Sequence, residues 1–369
     1  MFITQPKIRI LRWLGCVIFA LVGFMTKADN NKFTTESQLP SRYVNEIAHF
    51  WQQGNFSHFS GVNNVRINYA TFINKSEAIP AKCLVISSGR SESYLKYKEL
   101  SFDLFNHGYS IFIIDHRGQG LSQRLLANPH KGHVENFQYY VDDLTSFIEK
   151  IVTPHCQGSK PYLLAHSMGG AIAARYLQDF PNNIQAAVLS SPMLGFDSGS
   201  IPKFIAESVL KISAKLNQWF DDTPWYFLGH KGFAHNAFSD NILMHSSIRY
   251  QLFTQLYKST AEIQLGGVTV QWLTESQEAL KKIFNNIDKI ITPTLVLQAG
   301  QDKIIKNQAQ NDFCQQLHQL QPHSYPNGKP LVIAGAYHEL FFESDIYREQ
   351  ALQAVIQWFE QHSPSTNIE

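Results

Sequence analysis

An excess of charge of either sign is missing from this 369-residue chain: 31 lysines and arginines face 30 aspartates and glutamates, a formal net charge of +1. That balance offers no field for a polyanion, so nucleic acid is not expected as a partner. Cysteine is scarce, with four residues and no C-x-x-C pair, which removes the usual zinc and thiol-redox spacings. If the N-terminal segment is removed, Cys83, Cys156 and Cys314 remain, an odd set that argues against a disulfide framework. Long apolar runs are absent as well: the stretch from Trp13 to Met25 falls short of the ~20 residues of a spanning helix. There is no internal repeat and no low-complexity tract. What is present, 44% hydrophobic and 17% charged residues, describes a globular chain able to bury one large core.

Lys7, Arg9 and Arg12 precede the uncharged stretch, and Thr26-Lys27-Ala28 follows it. A basic start, a short apolar centre and small residues at the cleavage contacts fit a secretory signal over residues 1–28. An uncleaved inner-membrane anchor and a misassigned start codon stay open beside it. Cys16 lies inside the apolar stretch, which is a poor place for lipoprotein cleavage. The expected location is therefore periplasmic, secreted or anchored to the inner membrane.

The most informative segment is Ala165-His166-Ser167-Met168-Gly169. It follows the apolar run Tyr162-Leu163-Leu164 and leads into the helix formers Gly170 to Ala174. A serine between small residues at a strand-to-helix junction has the form of a nucleophile elbow. Such a turn leaves little room two residues to either side of the serine, and here Ala165 adds a methyl to that space. The competing reading is a serine that only caps a helix.

An acid and a histidine stand downstream at suitable places. Thr294 to Gln298 reads as a buried strand followed by Ala299-Gly300-Gln301-Asp302, and Pro330 to Ile333 as a last strand followed by Ala334 to Leu340. The order Ser167, Asp302, His338 is that of α/β-hydrolases. Each residue lies beyond a strand's carboxyl end, where open α/β sheets carry their sites. For Asp302 the alternative is a turn residue after Gly300. Ala81 to Ser87 forms another strand, and Ser88-Gly89-Arg90 turns out of it. The backbone N–H groups of Arg90 and Met168 are the candidate oxyanion donors. The strand Tyr109 to Ile114 ends in Asp115-His116-Arg117-Gly118-Gln119-Gly120. With two glycines and no helix directly after, this is not a dinucleotide fingerprint, and it is read as a shaped loop.

After the strand Ala186 to Ser190 the alternation of strands and helices stops for about a hundred residues. Helices are expected from Phe204 to Leu216, Ser247 to Tyr257 and Val268 to Ile283, with many aromatics among and between them. A structureless loop of that length is improbable, so residues 193–288 are expected to form a helical cap over a core of residues 40–192 and 289–362. Most cap aromatics would form its own core; some would line an acyl-chain channel.

Ser88 to Tyr94, Asp115 to Gly120, Gly132 to Phe137, Tyr140 to Leu144 and Ala165 to Gly170 resemble the bacterial lysophospholipase L2 family. That family lies in the monoacylglycerol-lipase-like branch of the serine α/β-hydrolases, and the resemblance extends over roughly residues 40 to 360. It implies an α/β-hydrolase fold, a mostly parallel sheet with helices on both faces and an inserted helical cap. It also implies hydrolysis of the acyl ester of a lysophospholipid by Ser167, Asp302 and His338, at a membrane surface and without metal or organic cofactor. Arg90 is the candidate contact for the headgroup phosphate, with Arg117, Arg124 and Lys131 on the long loop after the Tyr109 to Ile114 strand, which emerges at the same edge of the sheet. A monoacylglycerol lipase or general carboxylesterase would use the same residues. A non-catalytic hydrolase-fold binding protein is the distant alternative.

Overall fold

The computed structural model describes residues 33–75, 82–196 and 203–364. The N-terminal segment read as a signal or anchor lies outside them. Eight strands form one sheet: β1 Asn55–Ser60, β2 Arg66–Phe72, β3 Lys82–Ser87, β4 Tyr109–Ile114, β5 Tyr162–His166, β6 Ala187–Ser190, β7 Thr294–Ala299 and β8 Leu331–Ile333. Their order is β1-β2-β4-β3-β5-β6-β7-β8. The first two are antiparallel and the rest run parallel. After β4 the chain crosses from one side of β3 to the other, so the β3–β5 pair is the switch point of the sheet, the usual place for a site.

Among the described residues, ten α-helices accompany the strands: α1 Leu39–Val44, α2 Glu46–Gln52, α3 Lys98–Asn106, α4 Gln138–Phe147, α5 Met168–Asp179, α6 Lys203–Phe220, α7 Ser247–Ser259, α8 Val270–Asn285, α9 Asn307–Leu320 and α10 Asp345–Gln361. Successive strand residues point to opposite faces, and the sheet is buried on both. Cys83 and Val85 of β3, Phe112 and Ile114 of β4, and Leu163 and Ala165 of β5 pack into one core with α4, α5 and α9. Leu84 and Ile86, Ile111 and Ile113, and Tyr162 and Leu164 pack into the other, with α2, α3 and α10. This double burial is why β3 to β7 read as unbroken apolar runs.

The cysteines correct the sequence reading. Cys83 and Cys156 are joined by a disulfide, with Cα atoms 5.7 Å apart. Cys314 is buried and free. An odd count excludes complete pairing, not one pair. The bridge closes a separation of 73 residues and ties β3 to the segment beyond α4.

The glycine-containing loop after β4 is a fastening. Asp115 accepts from Tyr94 N–H (2.5 Å), Ser93 Oγ–H (2.9 Å) and Leu121 N–H (2.7 Å). Gly120 has φ of 55°, and a Cβ there would lie 2.1 Å from an Asp115 carboxylate oxygen, so no larger residue fits.

Between β6 and β7 the chain makes α6, α7 and α8. The insert meets the loops that leave the parallel strands: Gly132 N–H donates to Gly267 O (2.9 Å), Gly266 N–H to His130 O (2.8 Å), and Tyr257 O–H to Ser91 O (2.6 Å). α6 runs one turn beyond the expected Leu216, to Phe220, and that turn carries two exposed aromatics. Among the described residues, no helix is long and apolar enough to cross a membrane.

Candidate active site

Ser167 sits between β5 and α5 at φ 51° and ψ −115°, a strained conformation for a residue with a side chain. Packing enforces it. A Cβ on Gly169 would fall 2.2 Å from Ser87 O, and one on Gly170 2.7 Å from Pro192 Cβ, so α5 packs too closely against the end of β3 and the segment after β6 for larger residues. Gly170 N–H and Met193 N–H both donate to Ser167 O, each at 2.9 Å. Ala165 is buried, and its methyl is accommodated in the α5-side core.

The structure brings Ser167, Asp302 and His338 together. His338 Nε2 is 2.9 Å from Ser167 Oγ, and its Nδ1 is 2.7 Å from Asp302 Oδ2. Asp302 Oδ1 accepts from Ile304 N–H (2.8 Å) and Ile305 N–H (3.0 Å), which fixes the carboxylate plane. Burial pushes the Asp302 carboxyl up, but His338 and those two amides outweigh it and hold the group below its ordinary value. An ionised Asp302 selects the tautomer in which Nδ1–H donates to it and Nε2 accepts from the Ser167 hydroxyl. Ser167 is 8% exposed and His338 3%, so the pair is largely shielded from water. A hydroxyl so placed is equipped to attack a carbonyl.

Arg90 follows β3, the neighbour of β5. Its loop is held by Glu92, which accepts from Gly89 N–H (2.5 Å), and by Gln119, whose amide donates to Gly89 O (2.7 Å). Among the described residues, neither the Arg90 nor the Met168 backbone N–H donates to a protein acceptor. Both stay available for an oxyanion, and Met168 opens α5, whose N-terminus favours negative charge.

The cations near the site are mostly spent. Arg117 is buried and pairs with Asp143, Nε to Oδ2 at 2.7 Å, so it is no headgroup contact. Arg124 donates to the carbonyls of Pro129 and Gly120, and Lys131 Nζ to Pro224 O at 2.6 Å. Arg90 donates through Nη1 to Gly266 O (2.8 Å) and lies over the Trp272 ring. Burial lowers its guanidinium pKa. Glu92, His166 and Glu339 form a set of metal-type donors, but the Lys96 ammonium stands among them, 2.6 Å from Glu92 and 2.8 Å from Glu339. A cation is already supplied there. Sequence reasoning did not find this group, because each member reads alone as a surface charge.

A cavity of about 800 Å³ lies between the insert and α9, lined by Leu194, Leu210, Phe227, Leu273, Leu280 and Phe284 and by polar residues that include Lys281, Lys306 and Asp312. Leu194 directly follows Met193, whose N–H is bonded to the Ser167 carbonyl. Of the insert's aromatics, Trp272 and Tyr257 are buried in the protein, Phe227 lines the cavity, and Trp219 and Phe220 face solvent.

Residues 78–345 match the family described as Hydrolase_4: Serine aminopeptidase, S33. The chain belongs to that family. It is 39% identical over 335 residues to lysophospholipase L2 of Escherichia coli K12, covering 90% of this chain and 96% of that one. It is 34% identical over 310 residues to the probable lysophospholipase L2 of Haemophilus influenzae, covering 84% and 93%. Among solved structures it is similar to a monoacylglycerol lipase of Paleococcus ferrophilus, with a TM-score of 0.60 and 20% identity over 80% of this chain and 99% of that one. That last likeness bears on the fold alone. This member of the Hydrolase_4 family has the α/β-hydrolase fold and is a carboxylic ester hydrolase by kinship.

Proposed function

We propose that this chain hydrolyses the acyl ester of lysophospholipids, releasing a fatty acid and a glycerophospho alcohol. The observation that carries the reading is the unbroken Asp302–His338–Ser167 chain of hydrogen bonds in a protein similar along nearly its whole length to lysophospholipase L2. His338 takes the Ser167 proton as Oγ attacks the ester carbonyl, and the Arg90 and Met168 amides receive the oxyanion. His338 returns the proton to the departing alcohol. Water activated by the same imidazole then attacks the acyl-serine, and the fatty acid leaves.

Residues 193–288 act as a cap, and the cavity beneath it takes the acyl chain. Its volume lies within the ~300–1,000 Å³ usual for ligand pockets, and its Leu and Phe lining supports an alkyl occupant at about 0.8 kcal/mol per buried methylene. The cap also supplies the membrane contact. Ile212, Leu216, Trp219 and Phe220 recur at helical spacing on α6, from 38% to 75% exposed, and Lys211 and Lys215 are exposed beside them. An apolar stripe flanked by lysines is the form of a helix that lies in a lipid interface. The protein is exported, or held on the inner membrane by its N-terminal segment. The Cys83–Cys156 disulfide supports an oxidising compartment.

One observation favours the monoacylglycerol lipase or carboxylesterase reading: Arg90, Arg124 and Lys131 all donate to carbonyls, which leaves phosphate recognition to Arg90's remaining N–H groups. The test is kcat/KM for lysophosphatidylcholine against monoacylglycerol of the same acyl chain. Preference for the phospholipid by about tenfold or more, near what a charge-assisted contact supplies, is the expected result. The reverse preference would assign the neutral lipid as substrate.

A further inference from the structure

Four ionisable side chains beside the triad take no part in the chemistry above. Glu92, Lys96, His166 and Glu339 have side chains 3–7% exposed. Lys96 Nζ lies 2.6 Å from Glu92 Oε1 and 2.8 Å from Glu339 Oε2. His166 Nε2 lies 3.4 Å from the same Glu339 oxygen and 3.8 Å from Glu92 Oε1. The other Glu92 oxygen accepts from Gly89 N–H and Tyr97 O–H, each at 2.5 Å. The ammonium is 4.3 Å from the centre of the Phe342 ring.

Each anchor is one step from a working part of the site. His166 precedes Ser167, Glu339 follows His338, and Glu92 holds the amide of Gly89, which precedes Arg90. The loops leaving β3 and β8 thus meet at one buried ammonium, and His166, the last residue of β5, reaches the same two carboxylates. Burial works against the charge on Glu339, but Lys96 and His166 outweigh it and hold the carboxyl well below its ordinary range. Burial likewise opposes protonation of His166, and Glu339 and Glu92 outweigh that and raise it.

A buried ion network of this kind brings little net stability, because desolvation offsets the Coulombic gain. Its physical use is geometric. Nucleophile, base and oxyanion donors must keep a mutual placement that a shift of about 1 Å spoils by some hundredfold in rate. Separate loops do not hold such a placement unless something ties them together.

We propose that Lys96 is a positioning residue: its ammonium, bound by Glu92 and Glu339, holds the oxyanion loop, the Ser167 elbow and the His338 loop in the register that acylation requires. The proposal rests on Ser167 being the nucleophile.

The test uses the full chain and its Lys96→Met, Lys96→Arg and Glu339→Gln variants with a short-chain p-nitrophenyl ester. Rates are normalised to sites titrated to completion by a fluorophosphonate, and melting temperatures are recorded. Lys96→Met is expected to lose about tenfold to a hundredfold in kcat per titrated site, with KM within about twofold. Lys96→Arg, which keeps the charge, recovers a large part of that loss. A kcat per site within about twofold of the parent in Lys96→Met, whatever its melting temperature, overturns the proposal and leaves the network a structural role. If Lys96→Met does not fold, the near-isosteric Glu339→Gln decides by the same criterion. A parent protein that takes up no fluorophosphonate refutes the nucleophile assignment instead.

Discussion

His338 reaches Ser167 across two intervening strands. Its Nε2 is 2.9 Å from Ser167 Oγ although 171 residues separate them, and β6 and β7 lie between β5 and β8 in the sheet. The loop after β8 therefore has to turn back over the sheet edge. Gly335, at φ 85°, makes that turn, and Gln301 N–H donates to Ala336 O at 2.9 Å beneath it. Asp302, carried out of β7, then stands between the loop and the sheet and orients the ring.

Replacing Ser167 or His338 by alanine should lower ester hydrolysis by several orders of magnitude in a folded protein, because triad members act as a unit. Asp302→Asn should cost less, since that residue orients the base and exchanges no proton. Initial rates with circular dichroism as a control for folding check this. Activity within about tenfold of the parent in Ser167→Ala would remove the serine from the chemistry.

Gly169→Ala tests the elbow. The added methyl would press on Ser87 O at 2.2 Å and Ser88 O at 2.6 Å, and both belong to backbone that cannot retreat without disturbing the sheet. A loss of about 1–3 kcal/mol in urea unfolding, the usual range for overpacking, should accompany a fall in activity. Unchanged stability would mean that the elbow has room the structure does not show.

The membrane contact is testable apart from the chemistry. Trp219→Ser with Phe220→Ser should weaken partitioning onto anionic phosphatidylglycerol vesicles by tenfold or more, since each large side chain contributes about 1.5–3 kcal/mol on burial. Turnover of a soluble short-chain ester should stay as in the parent. Equal partitioning of parent and variant in a sedimentation assay would place the docking face elsewhere.

The contribution of the buried ion pairs to stability should fall on both sides of a plateau. The folded-state pKa values of Asp302 and Glu339 lie below their ordinary 3.8 and 4.5. Their contribution is therefore present above those values and is lost as pH falls through the folded pKa. That of His166 is raised above 6.5, so its contribution is complete below 6.5 and is lost as pH rises through the folded pKa. The difference in urea midpoint between the parent and Glu339→Gln should be largest between about pH 5 and 6.5 and shrink on both sides. A difference between parent and variant that stays constant from about pH 3 to 8 would contradict the assigned ion pairs.

The parallel half of the sheet was legible because β3 to β7 are buried on both faces and so read as plain apolar runs. The three residues that the fold brings together were legible because Ser167 and Asp302 follow such runs and His338 follows the next apolar segment, Pro330 to Ile333. Asn55–Ser60 was not, since an edge strand with the sequence NFSHFS and no buried residue carries no apolar run. The Cys83–Cys156 bridge was hidden as well: the pairing follows from β3 passing beside the segment beyond α4, and no local spacing records that. Arg117 was read as available for a headgroup, yet its partner Asp143 lies 26 residues on, in a contact that only the folded chain creates. The same is true of Lys96, whose partner Glu339 is far away in the sequence.

The most direct measurement is to trap the covalent intermediate. The full chain, mixed with lysophosphatidylcholine and quenched with acid during turnover, should carry the fatty acyl group on the peptide containing Ser167, and on no other peptide, by mass spectrometry. Hydrolysis with the acyl group on another residue, or at full rate in Ser167→Ala, would contradict the account.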